Sequence, residues 1–380
     1  MQSATQTTTG QDVRRRTLGA ELRMESITKR YGGAAAVDNL DLIVKPGEFV
    51  TLLGSSGSGK TTALMMMAGF TAPSAGQILI NGYDVTELPP AKRNLGVVFQ
   101  HYSLFPHMTV AANLAFPLEM RGMGRSEIRQ RVHQALEMVK LAEMGQRYPR
   151  QLSGGQQQRI ALARALIFEP QALLMDEPLG ALDKNLREHM QLEIKRLHTE
   201  LGASIVFVTH DQEEALTLSD RVAVMQNGRI AQIDAPDMLY ERPQNRWVAE
   251  FVGQSNFIGG VIEQAQGQHY RMRLDSGETL AASGVNGLKV GGRAMAVLRP
   301  EKILLTQPEG ATSTGMLSAT VSEVLYLGHT VKATVRLADG MPLLVSAQNR
   351  DLQGALRPGA HVGVSWQPSH LWLIDAEAAE

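Results

Sequence analysis

The apolar and polar positions of this chain fall into two textures. From Glu21 to about residue 252, short apolar runs alternate with longer stretches whose apolar residues recur every third or fourth place. Glu48 to Leu53, Leu95 to Phe99 (ending at Gln100), Leu173 to Asp176 and Ser204 to Thr209 have the length of buried strands. Leu186, Met190, Ile194, Leu197 and Leu201 keep helical spacing, and Gly202 offers the stop. Ile128, Val132, Leu136 and Val139 share one face of a helix that Ser126 is placed to cap. Strands alternating with helices predict a largely parallel sheet with crossovers. Glu21 to Ile27 alternates like a strand and is broken at Tyr31-Gly32-Gly33. Asn81-Gly82 and Asn227-Gly228, each between apolar residues, predict tight hairpins.

After about residue 255 the helical period fades. Short alternating segments are separated by glycine turns such as Asp275-Ser276-Gly277 and Asp339-Gly340. Gly292 to Pro300 resembles Ala360 to Pro368, and each is followed by a strand-like aliphatic pair. These echoes predict a separate all-β domain of two related small barrels or half-barrels over 256–380.

Composition narrows the class. The 380 residues suffice for two or three domains, and 37 basic residues against 38 acidic announce no nucleic-acid-binding face. The absence of cysteine removes disulfides and thiolate metal sites. No apolar run approaches the roughly 18 residues that a membrane-spanning helix needs. Residues 1–20, rich in Ser, Thr and Gln with Arg14-Arg15-Arg16 near their end, read as a disordered tail without a signal peptide.

The chemistry is concentrated at strand ends. Gly54-Ser55-Ser56-Gly57-Ser58-Gly59-Lys60-Thr61-Thr62 lies between an apolar strand and a helix that runs on through Ala63 to Ala68. Glycines there let backbone N–H groups converge on an anion, and the helix dipole adds positive potential. Lys60 is expected on the β- and γ-phosphates and the Thr61 hydroxyl on Mg²⁺. Ser153-Gly154-Gly155-Gln156 precedes a good helix and offers a second anion site, although Ser-Gly-Gly is also an ordinary helix cap. Asp176 ends an apolar strand, as suits a metal ligand, and Glu177 beside it can serve as a general base; the alternative is a solvated pair of carboxylates. Gln100 and His210 end two more strands, where ligands gather in parallel sheets. Gln100 offers an amide oxygen to Mg²⁺ or to the attacking water, and His210 a contact to the γ-phosphate.

The order of these motifs resembles that of an ABC-transporter ATPase subunit. Residues 54–61, Gln100, Leu152 to Gln156, Asp176-Glu177, Leu179 to Asp183 and His210 look like its Walker A, Q-loop, signature, Walker B, D-loop and H-switch. Tyr31 matches the aromatic residue that stacks on adenine, which implies ATP. The resemblance covers about residues 21–252. Its usual acidic residue before Asn113 is replaced by Ala112, outside the catalytic set. It implies an α/β P-loop NTPase, an ABC ATPase with a helical subdomain at about 101–160, followed by an all-β OB-like domain. The latter resembles the TOBE domain of importer ATPases through Arg299-Pro300-Glu301-Lys302-Ile303. Phe251 to Phe257 is similar to the polyamine (spermidine/putrescine) importer group, with iron(III) and sugar importers as close relatives.

That family implies a division of labour. Lys60, Gln100, Glu177 and His210 are the catalytic set, and Thr61, Gln100 and Asp176 the Mg²⁺ set. Residues 54–62, Tyr31, Ser153 to Gln156 and Asp183 bind nucleotide, with the signature of a second copy completing the site in a head-to-tail dimer. His101 to His107, apolar for a loop, is expected to receive a helix of a membrane permease at the cytoplasmic face of the inner membrane. A solute-binding protein would act indirectly. A soluble, non-transport ABC ATPase is the distant alternative; such proteins carry tandem modules or long coiled coils, and this chain shows neither.

Overall fold

The computed structural model describes residues 19–180, 182–306, 317–349 and 356–376. They form two compact units. One runs to Arg221 and takes in Met225–Ile230; the other takes in Val222–Val224 and continues from Ala231. The chain therefore passes from one to the other within a hairpin.

The first unit begins with an antiparallel sheet of β1 (Leu22–Tyr31) and β2 (Ala34–Val44). The alternation of β1 holds for Leu22 and Met24 and then slips, so that Ile27 rather than Ser26 points inward. Ser26 takes a left-handed φ of 50° at this bulge, and the Asp41 carboxylate accepts its N–H at 2.7 Å. Then come β3 (Phe49–Gly54), the helix α1 (Lys60–Ala68), and the short hairpin of β4 (Ala75–Ile80) and β5 (Tyr83–Asp84), which extends the first sheet in the order β2-β1-β4-β5. Its turn is the expected Asn81-Gly82, with φ of 50° and 78°.

Next are β6 (Leu95–Val98), α2 (Val110–Glu119), α3 (Arg125–Met138), α4 (Gly154–Leu166), β7 (Ala172–Asp176), α5 (Lys184–Leu201), β8 (Ser204–Thr209) and α6 (Gln212–Leu218). The four strands β3-β8-β7-β6 pair in parallel in that order. Every residue of β3, β7 and β8 is buried, which is why these strands read as uninterrupted apolar runs. Helices α2, α3 and α4 bury Leu114, Leu118, Val132, Leu136 and Ile160 in a core of their own. The cap of α3 corrects the expectation. Gly124 occupies the N-cap position, and Ser126 lies inside the first turn beside Glu127, whose charge suits the positive helix end. Of the expected tail, residues 1–18 lie outside the described residues. Ala20, by contrast, is packed: it is 1% exposed, and its carbonyl accepts from the Ser204 hydroxyl.

The hairpin β9 (Arg221–Gln226) and β10 (Arg229–Asp234) turns at Asn227-Gly228 as predicted. Beyond it the second unit holds two short helices, α7 (Pro236–Glu241) and α8 (Arg246–Val252), and then strands alone: β11 (Asn256–Gln266), β12 (His269–Leu274), β13 (Thr279–Gly284), β14 (Arg293–Leu298), β15 (Leu304–Thr306), β16 (Leu317–Tyr326), β17 (Thr330–Leu337), β18 (Pro342–Gln348), β19 (His361–Ser365) and β20 (Trp372–Asp375). The weak repeat is real at the level of pairing. In the first copy β11 pairs with β12 and β14, and β12 with β13; in the second β16 pairs with β17 and β19, and β17 with β18.

The copies are not independent barrels. The strand after each Pro turn crosses over: β15 pairs with β19 of the second copy, while β20 returns to β14 and β13 and closes the first copy into a barrel. One core, including Ile258, Met272, Leu298, Val321, Val335 and Val364, runs through both.

Arg299, the arginine of the TOBE-like motif, ties α7 and α8 to this core. Its 3%-exposed guanidinium donates to the carbonyls of Tyr240, Ala249 and Gly253 at 2.6 to 3.1 Å and lies 3.9 Å from the centre of the Tyr240 ring. Burial pulls its pKa down, and these carbonyls supply the compensating negative ends of dipoles.

Candidate functional site

Strand β3 ends at Gly54, and the loop that follows folds tightly onto itself. Gly57 and Gly59 take left-handed φ of 81° and 100°. A Cβ on Gly59 would stand 2.4 Å from the Ala36 carbonyl oxygen, so only glycine fits. Ser58 donates its N–H to the Ser55 carbonyl, and its buried hydroxyl has no hydrogen-bond partner. No side chain caps α1, so its first amides face the loop uncapped. Lys60, at the first position of α1 and 5% exposed, donates to the Gly54 and Ser55 carbonyls at 2.8 Å each. Burial lowers its pKa, while the charges of Glu177 and Asp176 pull it back up. These features make a cradle for a polyanion, with the ammonium parked on carbonyls that phosphate oxygens can replace.

Thr61 of α1 and the ends of β7, β8 and β6 deliver the remaining groups. The Thr61 hydroxyl donates to Asp176 Oδ1 at 3.0 Å. Burial pushes the Asp176 carboxyl up; the Thr61 bond and Lys60 oppose that, and Glu177 adds to it. Glu177, just past β7, holds a left-handed φ of 43°, a strained conformation for a residue with a side chain, costing about 1–3 kcal/mol. Its own N–H donates to the Val208 carbonyl at 2.9 Å, which fixes it in place. One carboxylate oxygen meets His210 Nδ1 at 3.1 Å, and the other accepts from Gln100 Nε2 at 3.2 Å. The amide nitrogen of Gln100, rather than its oxygen, is thus turned toward Glu177. Lys60, Thr61, Asp176, Glu177, Gln100 and His210 therefore form one connected group.

The other expected nucleotide contacts lie apart from it within one chain. Tyr31 ends β1, is 54% exposed, and carries Lys29 Nζ at 5.2 Å from its ring centre. Ser153 and Gln156 close a reciprocal capping box on α4: the serine hydroxyl accepts the Gln156 N–H and the Gln156 side chain accepts the Ser153 N–H. Gly155 packs so closely on α5 that a Cβ would approach Leu186 Cδ1 to 2.8 Å. Asp183 is the N-cap of α5, accepting from the Leu186 N–H at 3.0 Å. No group of three or more His, Asp or Glu side chains arranged to hold a metal ion by themselves is present among the described residues. A Thr hydroxyl and one carboxylate beside a phosphate cradle nevertheless suit Mg²⁺, which keeps several waters and binds through one or two carboxylates plus substrate phosphates.

Sequence reasoning passed over two groups of residues. Asn113, fully buried, accepts the Phe105 N–H and donates to the Phe105, Met108 and Thr109 carbonyls, while Arg164 donates to the Tyr102 and Ser103 carbonyls; together they fix the loop after Gln100. Within that loop Tyr102 is core, and Leu104 and Phe105 are half-buried. The second group, Arg187 with Asp211 and Glu214, left only a faint mark, an Asp-x-x-Glu helix start after His210.

A phosphate cradle with strand-end carboxylates on a parallel sheet defines a P-loop ATPase. The ABC transporter family profile matches residues 37–180, and the TOBE domain profile matches 296–374. Across 93% of its length the chain is 46% identical to a spermidine/putrescine import ATP-binding protein of Rubrobacter xylanophilus, covering 93% of that protein. It is 49% identical to one from Pseudomonas aeruginosa over 84% of this chain and 88% of that one. A dimeric bacterial ABC transporter cassette superposes with a TM-score of 0.52 at 34% identity, covering 57% of this chain and 98% of the other. An ABC transporter component from Clostridium perfringens gives 0.53 at 29% identity, covering 57% and 88%. The chain belongs to the ABC-transporter family, among its import ATP-binding subunits.

The raised pKa of Asp176 yields a stability prediction. Above that pKa the folded protein holds a carboxylate that burial disfavours, whereas below the unfolded value of 3.8 both states are protonated and the penalty vanishes. Nucleotide-free Asp176→Asn is therefore expected to melt above the parent at pH 7 to 8, with the gap closing toward pH 4. Thermal melts across that range check it.

Proposed function

We propose that this chain hydrolyses ATP to drive polyamine import, working as a head-to-tail pair on the cytoplasmic face of a membrane beneath its permease. The connected group from Lys60 to His210 carries the hydrolytic part of this reading. The likeness to spermidine/putrescine import ATP-binding proteins over nine-tenths of the chain supports the solute class. Iron(III) or sugar remains the alternative cargo. The ATPase domain is read as 21–252 and the TOBE/OB-like domain as 256–380.

The roles follow from chemistry. Lys60 moves from the Gly54 and Ser55 carbonyls to the β- and γ-phosphates, and the amides from Gly57 to Thr62 cradle them. Thr61, Gln100 and Asp176 would hold Mg²⁺, which, when bound, would neutralise phosphate charge. Glu177 orients and deprotonates the attacking water, and its left-handed backbone aims the carboxylate before substrate arrives. His210 turns from Glu177 to the γ-phosphate and stabilises the charge that develops there. Tyr31 stacks on adenine. Ser153 to Gln156 and Asp183 of a second copy close the site, since within their own chain the side chains of Ser153, Gln156 and Asp183 serve helix caps. Nucleotide exchange then shifts the population between open and closed pairs.

The permease reading rests on an apolar groove. Phe70, Phe99, Phe105, Phe116 and Phe168 line it, with Arg164 at its wall, beside the loop that Asn113 and Arg164 hold rigid. A rim-polar apolar groove of this kind suits an amphipathic helix. No helix among the described residues is long and apolar enough to cross a membrane.

Three outcomes are expected. In vesicles reconstituted with the permease, binding protein loaded with spermidine or putrescine raises ATP hydrolysis, and iron(III)- or sugar-loaded binding proteins do not; stimulation by only the latter would transfer the reading to them. Glu177→Gln keeps ATP affinity, accumulates as an ATP-bound dimer on size exclusion, and turns over at least about a hundredfold more slowly. Near-parental hydrolysis would remove Glu177 as the base. Leu104→Gln with Phe105→Gln abolishes transport while ATP affinity survives, and full transport by that variant would refute the docking role.

A further inference from the structure

Helix α5 carries an arginine that reaches three separate elements of the hydrolytic side of the site. Arg187 Nη1 donates to Asp211 Oδ2 at 3.1 Å, and Nη2 donates to the Leu182 carbonyl at 3.1 Å. Its buried Nε has no hydrogen bond and faces Glu214 Oε1 at 3.6 Å. Leu182 belongs to the turn that leaves Glu177, where the Gly180 N–H donates back to the Glu177 carbonyl and the Leu182 N–H to that of Leu179. Asp211 follows His210 directly and caps α6 by accepting from the Glu213 and Glu214 N–H groups. Glu214, 2% exposed, accepts from the Thr209 hydroxyl at 2.6 Å, and the same Thr209 oxygen accepts the Asp211 N–H at 3.0 Å.

His210 is thus clamped on both sides. Thr209 and Asp211 are each fastened to the Glu214–Arg187 group, while the imidazole itself is 60% exposed and meets Glu177 at 3.1 Å. Burial pushes the Glu214 carboxyl up, and the Thr209 bond and the Arg187 charge oppose it. The charges facing Arg187 are therefore two carboxylates, one of them in the protein interior. A single planar fork meets both and a carbonyl besides, which an ammonium cannot do.

We propose that Arg187 is a positioning residue for hydrolysis: it locks the backbone at Leu182, just before Asp183, to the His210 segment, so that the residues a second copy would touch and the histidine that meets the γ-phosphate move as one piece. Nothing in the P-loop depends on Arg187, so nucleotide binding should be spared. The inference rests on the reading of Glu177 and His210 as the hydrolytic pair.

The test uses the full chain assembled with its permease and compares kcat, KM and ATP affinity. Arg187→Met is expected to lower kcat at least tenfold with KM and ATP affinity within twofold. Arg187→Lys, which keeps the charge but not the fork, should lose three- to tenfold in kcat. In Arg187→Met combined with Asp211→Asn the losses should not multiply, because both remove the same contact. A folded Arg187→Met with kcat within twofold of the parent overturns the proposal, as does a loss expressed through KM. Should Arg187→Met not fold, parental kcat in Arg187→Lys overturns it instead. His210→Ala separates the premises: parental turnover there removes the hydrolytic reading, whereas a dead His210→Ala beside a normal Arg187→Lys removes only the role of Arg187.

Discussion

Parallel register is the constraint on which the site depends. Leu53 pairs with Thr209, Asp176 with Val208, and Met175 with both Val98 and Phe207, so four strands end at nearly one level. Whatever follows each strand must then meet the others at the carboxyl edge: the glycine loop after β3, His210 after β8, Glu177 after β7 and Gln100 two residues past β6. A two-residue slip of β7 would carry Asp176 and Glu177 about 7 Å along the sheet, beyond the reach of Thr61 and His210. A one-residue slip would reverse the faces of side chains in a layer buried on both sides. Packing of Phe49, Phe207, Leu173 and Met175 therefore enforces the site's geometry, although none of them touches it.

The same constraint explains what could be read from the amino acids. Strands buried on both faces leave unbroken apolar runs, and chemistry at their ends is visible as the polar residue that stops the run. The strands around Gly54, Asp176 and His210 were legible for that reason. Groupings built from several elements were not. Arg187 looks like any exposed arginine of an amphipathic helix until Asp211, Glu214 and Leu182 are brought to it. The cap of α3 was misplaced by two residues because Ser126 has a better capping preference than Gly124, yet the chain is already extended at Gly124 and Glu127 favours the first turn.

In the second unit the repeat was legible as composition, because each copy spends a similar run of residues on a strand, a Pro turn and a strand. Its consequence was not. Local pattern says that a strand forms after Pro300 and after Pro368, but not which neighbour it pairs with, since pairing is a long-range matter. Exchange of β15 and β20 turns two half-barrels with separate edges into one body with a common core. Asn256 secures the same junction, accepting the Leu344 N–H at 2.7 Å and donating to the Leu344 and Leu298 carbonyls. Covering edges in this way also removes unpaired strands that would otherwise invite other chains.

Most polar side chains expected to meet nucleotide are already satisfied by their own chain, unlike the uncapped amides at the start of α1. Lys60 rests on two carbonyls, Thr61 on Asp176, Glu177 on Gln100 and His210, and Ser153, Gln156 and Asp183 on helix ends; the Ser58 hydroxyl is the exception. For these side chains binding must exchange bonds rather than add them, and each exchange contributes only the difference between the two partners. For Lys60 that difference is large, because a carbonyl offers a partial charge and a triphosphate oxygen a full one in the same buried setting. For Ser153 and Asp183 it is small, since an intact cap satisfies most of what a phosphate or a facing turn would provide. Affinity for nucleotide therefore concentrates in the loop after β3. On the proposed reading, a second copy would contribute chiefly by closing the site against water, where the carboxylate of Glu177 and the imidazole of His210 would gain most from a low dielectric.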